Sequence, residues 1–211
     1  MSLVYWKDRT LYVNPTNRCT CNCVFCIRNF SDGVFGFNLR LERDPTPDEL
    51  GQAVSSALTR GFDEVAIVGL GEPTLNLDAV LNVVRVVKEG AGIPVRMDTN
   101  GHGLLIHPRR NVPRELAESG LDRVHVSLNA QDAATYVRLC RPRFGKRAYT
   151  SMLEFARRCS ELMKVGLSVV DVPGVDIEAC RRIAGEMGVD FRVRKFIGPD
   201  EVISQITETM L

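Results

Sequence analysis

The sequence predicts an α/β fold, an open barrel of six parallel strands with helices on its outside, and three observations carry that prediction. Short β-rich runs alternate with helical patterns six times along the chain, the order that builds a parallel sheet. The length of 211 residues falls short of the roughly 250 that a closed eight-stranded barrel uses. Several strands alternate apolar with polar residues, whereas a parallel strand covered by helices on both faces is apolar on both. A polar lumen is therefore expected, with solvent-wetted edge strands as the competing explanation and a doubly wound parallel sheet as the alternative fold. One domain is expected over 1–211, with the barrel in 1–196 and a C-terminal tail in 197–211.

The elements follow in order. Leu11 to Val13 forms the first strand and leads into a cysteine-rich loop. Thr46-Pro47-Asp48-Glu49 is a capping box with proline at the first helical position. It opens a helix through Leu50, Val54 and Leu58 that stops at Gly61. Glu64 to Val68 is the second strand, followed by a glycine-rich turn and a helix from Leu77 to Glu89 that ends at Gly90. Val95 to Asp98, Arg123 to Leu128, Leu167 to Val172 and Phe191 to Lys195 supply the remaining strands. Helices over Pro113 to Glu118, Asp132 to Leu139, Tyr149 to Leu162 and Ile177 to Met187 lie between them. The alternation is clearest where Val124, Val126 and Leu128 oppose His125, Ser127 and Asn129, and it recurs with Arg96 and Asp98 and with Arg192 and Arg194.

A net charge of +1 gives no global field for nucleic acid or anionic membrane, and no apolar run approaches the roughly 20 residues of a spanning helix. Cytoplasmic localisation is expected, because the seven cysteines are odd in number and the first residues do not look like a secretory signal.

Four of those cysteines fall in the eight residues from Cys19 to Cys26, and Cys19, Cys23 and Cys26 read C-x3-C-x2-C. Iron-sulfur clusters take soft thiolate ligands, and three thiolates leave one iron of a cube open to another ligand. A structural zinc site draws four ligands, usually as two separated pairs, and no second pair is present. Cys140, Cys159 and Cys180 stand alone, the latter two within helical patterns where a cysteine acts as a small apolar residue. The motif-bearing segments all fall where strands end, the side of parallel α/β folds that carries active sites. They are the cysteine loop, Gly69 to Pro73, Asp98 to Gly101, Ser127 with Asn129, and Asp171 to Gly174.

The cysteine run with Phe25 before its last thiol, joined to Gly69-Leu70-Gly71-Glu72-Pro73, resembles the cluster loop and Gly-Gly-Glu motif of radical S-adenosylmethionine (radical SAM) enzymes. Leu70 departs from the glycine that many members have. The resemblance implies a partial (β/α)6 TIM-like barrel holding a 4Fe-4S cluster on Cys19, Cys23 and Cys26. S-adenosylmethionine would chelate the fourth iron and be cleaved to a 5'-deoxyadenosyl radical. It further implies a reducing electron donor such as flavodoxin or ferredoxin. Narrower likenesses in Asn17 to Cys19, Leu128 to Ala130, Arg138 to Pro142 and Val170 to Asp176 resemble the small radical SAM proteins associated with TatD-type nucleases, implying a functional link to such a nuclease.

Site roles follow from the same resemblance. Phe25 and Val170 would lie near adenine, with Val169 beside Val170. Gly69 and Gly71 would let the backbone approach the methionyl group, and Glu72, beside Pro73, would accept from its ammonium or order the loop. Asp98, Thr99 and Asn100 resemble an Asp-Thr-Asn-Gly segment of small members, and Ser127 and Asn129 would contact ribose. His125 is the lumen-facing acid or base candidate, while His102 and His107 read as surface residues of the loop after the third strand. Cys21 reads as a bystander, with a resting-state cluster ligand or a substrate thiol as its other uses. Arg138, Arg141, Arg143, Lys146 and Arg147 form a basic loop without aromatics to stack bases, which leaves nucleic acid open but disfavoured. The substrate is not legible. A glycyl-radical-enzyme activase is the alternative enzyme, and an iron-sulfur electron carrier or redox sensor is the alternative from another class.

Overall fold

A computed structural model of the protein describes residues 1–210. β1 (Val4–Lys7) and β2 (Thr10–Val13) form an antiparallel hairpin ahead of the cysteine loop. A two-stranded ribbon follows, β3 (Gly33–Val34) with β4 (Phe37–Asn38), and then α1 (Pro47–Leu58) and β5 (Glu64–Ile67). Next come α2 (Leu77–Gly90), β6 (Val95–Thr99), α3 (Gly103–Ile106), α4 (Val112–Glu118), β7 (Arg123–Ser127) and α5 (Ala133–Cys140). The chain continues through α6 (Arg147–Ser160), β8 (Lys164–Asp171), α7 (Ile177–Met187), β9 (Asp190–Lys195) and α8 (Asp200–Met210).

The main sheet runs β1-β2-β5-β6-β7-β8-β9, and from β2 onward every neighbouring pair is parallel. Each of the six parallel strands lies beside its predecessor in sequence, without the reversal of order that marks a doubly wound sheet. The fold is thus the partial barrel, with β1 as an added antiparallel edge. The expected strands and helices are present within a few residues of their predicted ends. The capping box is formed, Thr46 accepting from Glu49 N while the Glu49 carboxylate accepts from Thr46 N.

The β3–β4 ribbon was not expected, the expected tail holds helix α8, and two further elements depart from expectation. β1 is joined to β2 by a turn in which Asp8 takes φ 52°, a left-handed conformation that Lys7-Asp8-Arg9 does not advertise as an asparagine-glycine pair would. The short α3 follows β6, and its preceding residue His102 is fully buried rather than at the surface.

Alternation sorts the strands into a dry and a polar side. Val124 and Val126 are completely buried, as are Met152 and Phe155 of α6, in one continuous core. Each such apolar side chain contributes roughly 1.5–3 kcal/mol by leaving water. The opposite face carries aligned polar rows. Asp98, His125, Gly166 and Asp190 are register partners across β6 to β9, and Ser127, Ser168 and Arg192 form the next row toward the strand ends. A Cβ on Gly166 would stand 3.1 Å from the His125 ring, so a larger residue there would push against it. α8 buries Ile206 and, with Val202, stands across from Asn22, Cys23 and Arg141 at the loop-bearing rim. Phe196, just past β9, packs edge-on against Phe30 at 6.0 Å, tying the last strand to the cysteine loop of the first. Among the described residues no helix is long and apolar enough to cross a membrane.

Candidate active site

The rim and the lumen share a cavity of about 620 Å³. Cys19, Cys21, Cys23, Phe25 and Cys26 line it from the loop after β2, and Gly69 to Glu72 line it from the turn after β5. Asp98 and Thr99 of β6 with Asn100 just beyond, Ser127 at the end of β7 with Asn129 beyond it, Val170 of β8 and Arg192 to Lys195 of β9 add to its wall. Sequence-predicted residues on five separate loops and strand ends are therefore brought together. Val169 points the other way and is fully buried in the core. Pro73 is also buried and does not line the cavity, because it opens the short helical turn Pro73–Asn76.

The cysteine loop is held from both sides. Val24 N donates to Leu139 O at 2.9 Å and Asn22 N to Cys140 O at 3.1 Å, which lays the loop on the end of α5. Cys21 pairs with Pro142 in an isolated bridge, and Arg143 N donates to Thr20 O at 2.9 Å. This docking gives the Arg138 to Pro142 run a structural role. It also brings Cys140, solitary in the sequence, against the cysteine loop, where its carbonyl accepts from Asn22 N. Arg28, not singled out in the sequence, straps the loop from within: Nε donates to Cys26 Sγ at 3.3 Å, and its other nitrogens donate to Asn17 O and Cys21 O at 3.1 Å.

Glu72 is the electrostatic centre of the rim. It is 2% exposed, and burial pushes its carboxyl upward against hydrogen bonds that favour the ionised form. Oε1 accepts from Thr74 N at 3.1 Å and from the Thr74 and Thr99 hydroxyls at 2.6 Å, while Oε2 accepts from Asn100 N at 2.7 Å. Of the two roles expected for Glu72, the geometry displays the ordering of loops. The glycines beside it are likewise explained by the protein's own backbone. A Cβ on Gly71 would meet Thr16 O and Arg18 O at 2.4 Å, and one on Gly69 would meet Asn14 Oδ1 at 2.1 Å. Glu72 N donates to Arg18 O at 2.8 Å, completing the seam between the two loops.

Behind the cysteines lies a buried polar chain. Thr20 Oγ1 and His102 Nδ1 are 2.7 Å apart, and His102 Nε2 and Tyr136 Oη are 3.0 Å apart. Cys21 Sγ lies 3.8 Å from the same Tyr136 oxygen. Desolvation lowers the His102 pKa to about 4, so this imidazole is neutral and serves the scaffold. His107 sits at the edge with Nε2 2.6 Å from Thr74 O. His125 lies deeper, its Nδ1 3.4 Å from Asp98 Oδ1, and Asp98 also takes Arg96 Nη1 at 2.6 Å. Asp98 thus pairs within the lumen, although it borders the cavity.

The donor set fits an iron-sulfur cluster. Cys19, Cys23 and Cys26 share one cavity wall, and hydrogen-bond donors already point at two of their sulfurs. Cys21 N donates to Cys19 Sγ at 3.4 Å and Asn100 Nδ2 lies 3.8 Å from it, while Arg28 serves Cys26. Such donors stabilise thiolates and tune cluster potential. The thiol pKa values of Cys19, hydrogen-bonded to Cys21, and Cys23, hydrogen-bonded to Cys140, are both raised, with desolvation adding to each. Ligation to iron therefore displaces tightly held protons.

Comparison with known proteins fits this geometry. The sequence profile of the radical SAM superfamily matches residues 13–187. A probable GTP 3',8-cyclase of Methanococcus aeolicus is 26% identical over 203 residues, covering 93% of this chain and 62% of the relative. Its counterpart in Thermococcus kodakarensis is 33% identical over 129 residues, covering 61% of this chain and 38% of the relative. The chain thus spans less than two thirds of the length of these curated relatives. Among solved structures, Streptococcus suis SuiB bound to S-adenosylmethionine superposes with a TM-score of 0.71 at 21% identity, over 92% of this chain and 42% of SuiB. TYW1 with a lysine-pyruvate adduct gives 0.63 at 16% identity, over 96% of this chain and 72% of TYW1. These two likenesses speak to the fold alone.

Proposed function

This chain belongs to the radical SAM superfamily, and we propose that it binds a 4Fe-4S cluster and reductively cleaves S-adenosylmethionine to act on a small-molecule substrate in its lumen. The observation that carries the reading is the single cavity into which Cys19, Cys23, Cys26, the Gly69 to Glu72 turn and the ends of β6, β7 and β8 all open. Cys19, Cys23 and Cys26 would hold the cluster. When bound, the cluster supplies the electron that splits the sulfonium into methionine and a 5'-deoxyadenosyl radical.

The chain's own residues do the rest. Phe25 and Val170 offer apolar surface for a purine, and Ser127 and Asn129, lining the same cavity, would contact ribose through hydroxyl and amide groups. Glu72 fixes Thr99 and Asn100 relative to the cysteine loop, which keeps the methionyl end and the thiolates in register. His125, paired with Asp98, is the acid or base available to a substrate below. Similarity to proteins named GTP 3',8-cyclase supports a nucleotide-like small molecule over a protein glycine, and hence over the activase. A flavodoxin or ferredoxin as donor and a functional link to a TatD-type nuclease remain parts of the proposal, the latter resting on the likeness of Asn17 to Cys19, Leu128 to Ala130, Arg138 to Pro142 and Val170 to Asp176.

Anaerobic protein with a full cluster, reduced with dithionite in the presence of S-adenosylmethionine, is expected to release 5'-deoxyadenosine and methionine in equal amounts. Neither product from such a sample would favour the electron carrier or sensor.

A further inference from the structure

Below the cysteine rim, the lumen holds two guanidinium groups with donors to spare. Arg192 and Arg194 are two residues apart on β9, so their side chains leave the same face about 7 Å apart. Their register partners are Ser168 and Val170, and both side chains border the main cavity. Arg192 also borders a second chamber of about 300 Å³ with Asp98, His125, Ser168 and Asp190.

Neither arginine forms an ion pair at contact distance among the described residues, although the Asp98 carboxylate acts on Arg194 from further off. Arg194 donates only to neutral oxygens, Ser127 Oγ and Asn129 Oδ1, each at 3.3 Å through Nη2. Its Nε is buried with no hydrogen-bond partner, which is costly for so strong a donor unless a ligand completes it. Arg192 makes no ion pair or hydrogen bond among the described residues. Of the two carboxylates in the neighbouring row, Asp98 is already engaged by Arg96 and His125, and Asp190, two residues before Arg192 on β9, shares its chamber without forming an ion pair with it. A guanidinium fork matches the planar geometry of phosphate and carboxylate oxygens.

We infer that Arg192 and Arg194 anchor the substrate through an oxyanion, a phosphate or carboxylate carried by a small molecule that lies in the lumen between the His125 row and the cysteine loop. The anchor lies on the last strand, across the lumen from the Gly69 to Glu72 turn, so the anionic end faces β9 while the rest of the molecule extends toward the cysteines. Ser168 and His125 are then within the same chamber to receive neutral polar groups of that substrate.

This inference rests on the enzyme reading for its purpose, but its test does not need turnover. Inorganic pyrophosphate and succinate are titrated calorimetrically into anaerobic, cluster-replete protein and into the Arg192→Gln, Arg194→Gln, double and Arg85→Gln variants. Arg85, on the exposed side of α2, is the control. One of the two probes is expected to bind, phosphate or carboxylate being decided by which. Each single substitution should weaken binding about tenfold, the scale of a charge-assisted hydrogen bond, the double variant should abolish it, and Arg85→Gln should match the parent. Should Arg194→Gln fail to fold, Arg192→Gln, at an exposed position, carries the test alone. Absence of binding by the parent protein, or binding unchanged in Arg192→Gln, overturns the inference. Anion binding lost with these arginines in a protein that yields no 5'-deoxyadenosine would keep the site and defeat the enzyme reading.

Discussion

Glu72 shows how one residue joins three segments, its side chain reaching Thr74 of its own turn and the end of β6, its backbone N reaching Arg18 of the cysteine loop. Its carboxylate accepts four hydrogen bonds from Thr74, Thr99 and Asn100 while almost wholly buried. Glu72→Gln would turn an amide N–H toward a donor, leaving buried polar groups unpaired at about 3 kcal/mol. Denaturant unfolding should register that loss, and iron content after reconstitution should fall with it. The motif was legible in the sequence; the role was only half legible, because the partners lie on β6 and emerge only with the fold. His102 is the opposite case, since nothing in its local sequence signals burial among Thr20, Tyr136 and Phe144. Its folded pKa of about 4 lies below the unfolded value near 6.5. The unfolded chain therefore binds the extra proton between those values, and stability present above pH 6.5 declines as pH falls toward 4. That decline is worth about 3 kcal/mol at 1.36 kcal/mol per unit. Urea unfolding of His102→Gln should show a shallower acid decline over this window, whereas parallel profiles would contradict the assignment. Cys21→Ala, which removes a thiol packed against Tyr136 and Asn100, should retain its cluster. Loss of the cluster's visible absorption would refute the bystander reading.

At the scale of elements, the cysteine loop and the turn after β5 cross with no room for a Cβ at Gly69 or Gly71. Gly71→Ala and Gly69→Ala place a Cβ within 2.4 Å and 2.1 Å of oxygen atoms that belong to the opposing segment. Both should fold poorly or lose iron. Gly90→Ala, at the end of α2 with open space around it, should be neutral or slightly stabilising. Iron stoichiometry and thermal midpoints of the three variants separate local crowding from a general intolerance of alanine. Helices with caps were readable to within a residue or two, as α1 and α7 show, because capping and periodicity are local. β1 was not readable, since its turn lacks the usual residues and its stability comes from Tyr12, Leu11 and the ring packing of Tyr5 and Trp6 with the β3–β4 ribbon. The docking of Leu139 and Cys140 on the cysteine loop was equally hidden, because it depends on where α5 ends relative to a loop more than 100 residues earlier.

At the scale of the whole molecule, sequential order of six parallel strands brings every strand-end motif to one rim, and the alternation of valine with polar residues turns the other face inward. Those two features were visible as patterns before any contact was known. What joins them is the proposal that three thiolates, set on a loop crowded between α5 and the Gly69 to Glu72 turn, hold an iron-sulfur cube with one iron left for S-adenosylmethionine. Electron-nuclear double resonance on the reduced, cluster-replete protein with S-adenosylmethionine labelled at its amino nitrogen and carboxylate oxygen tests that directly. Hyperfine coupling of both labels to the cluster is expected, and a reduced cluster with no coupling to either label would contradict the account.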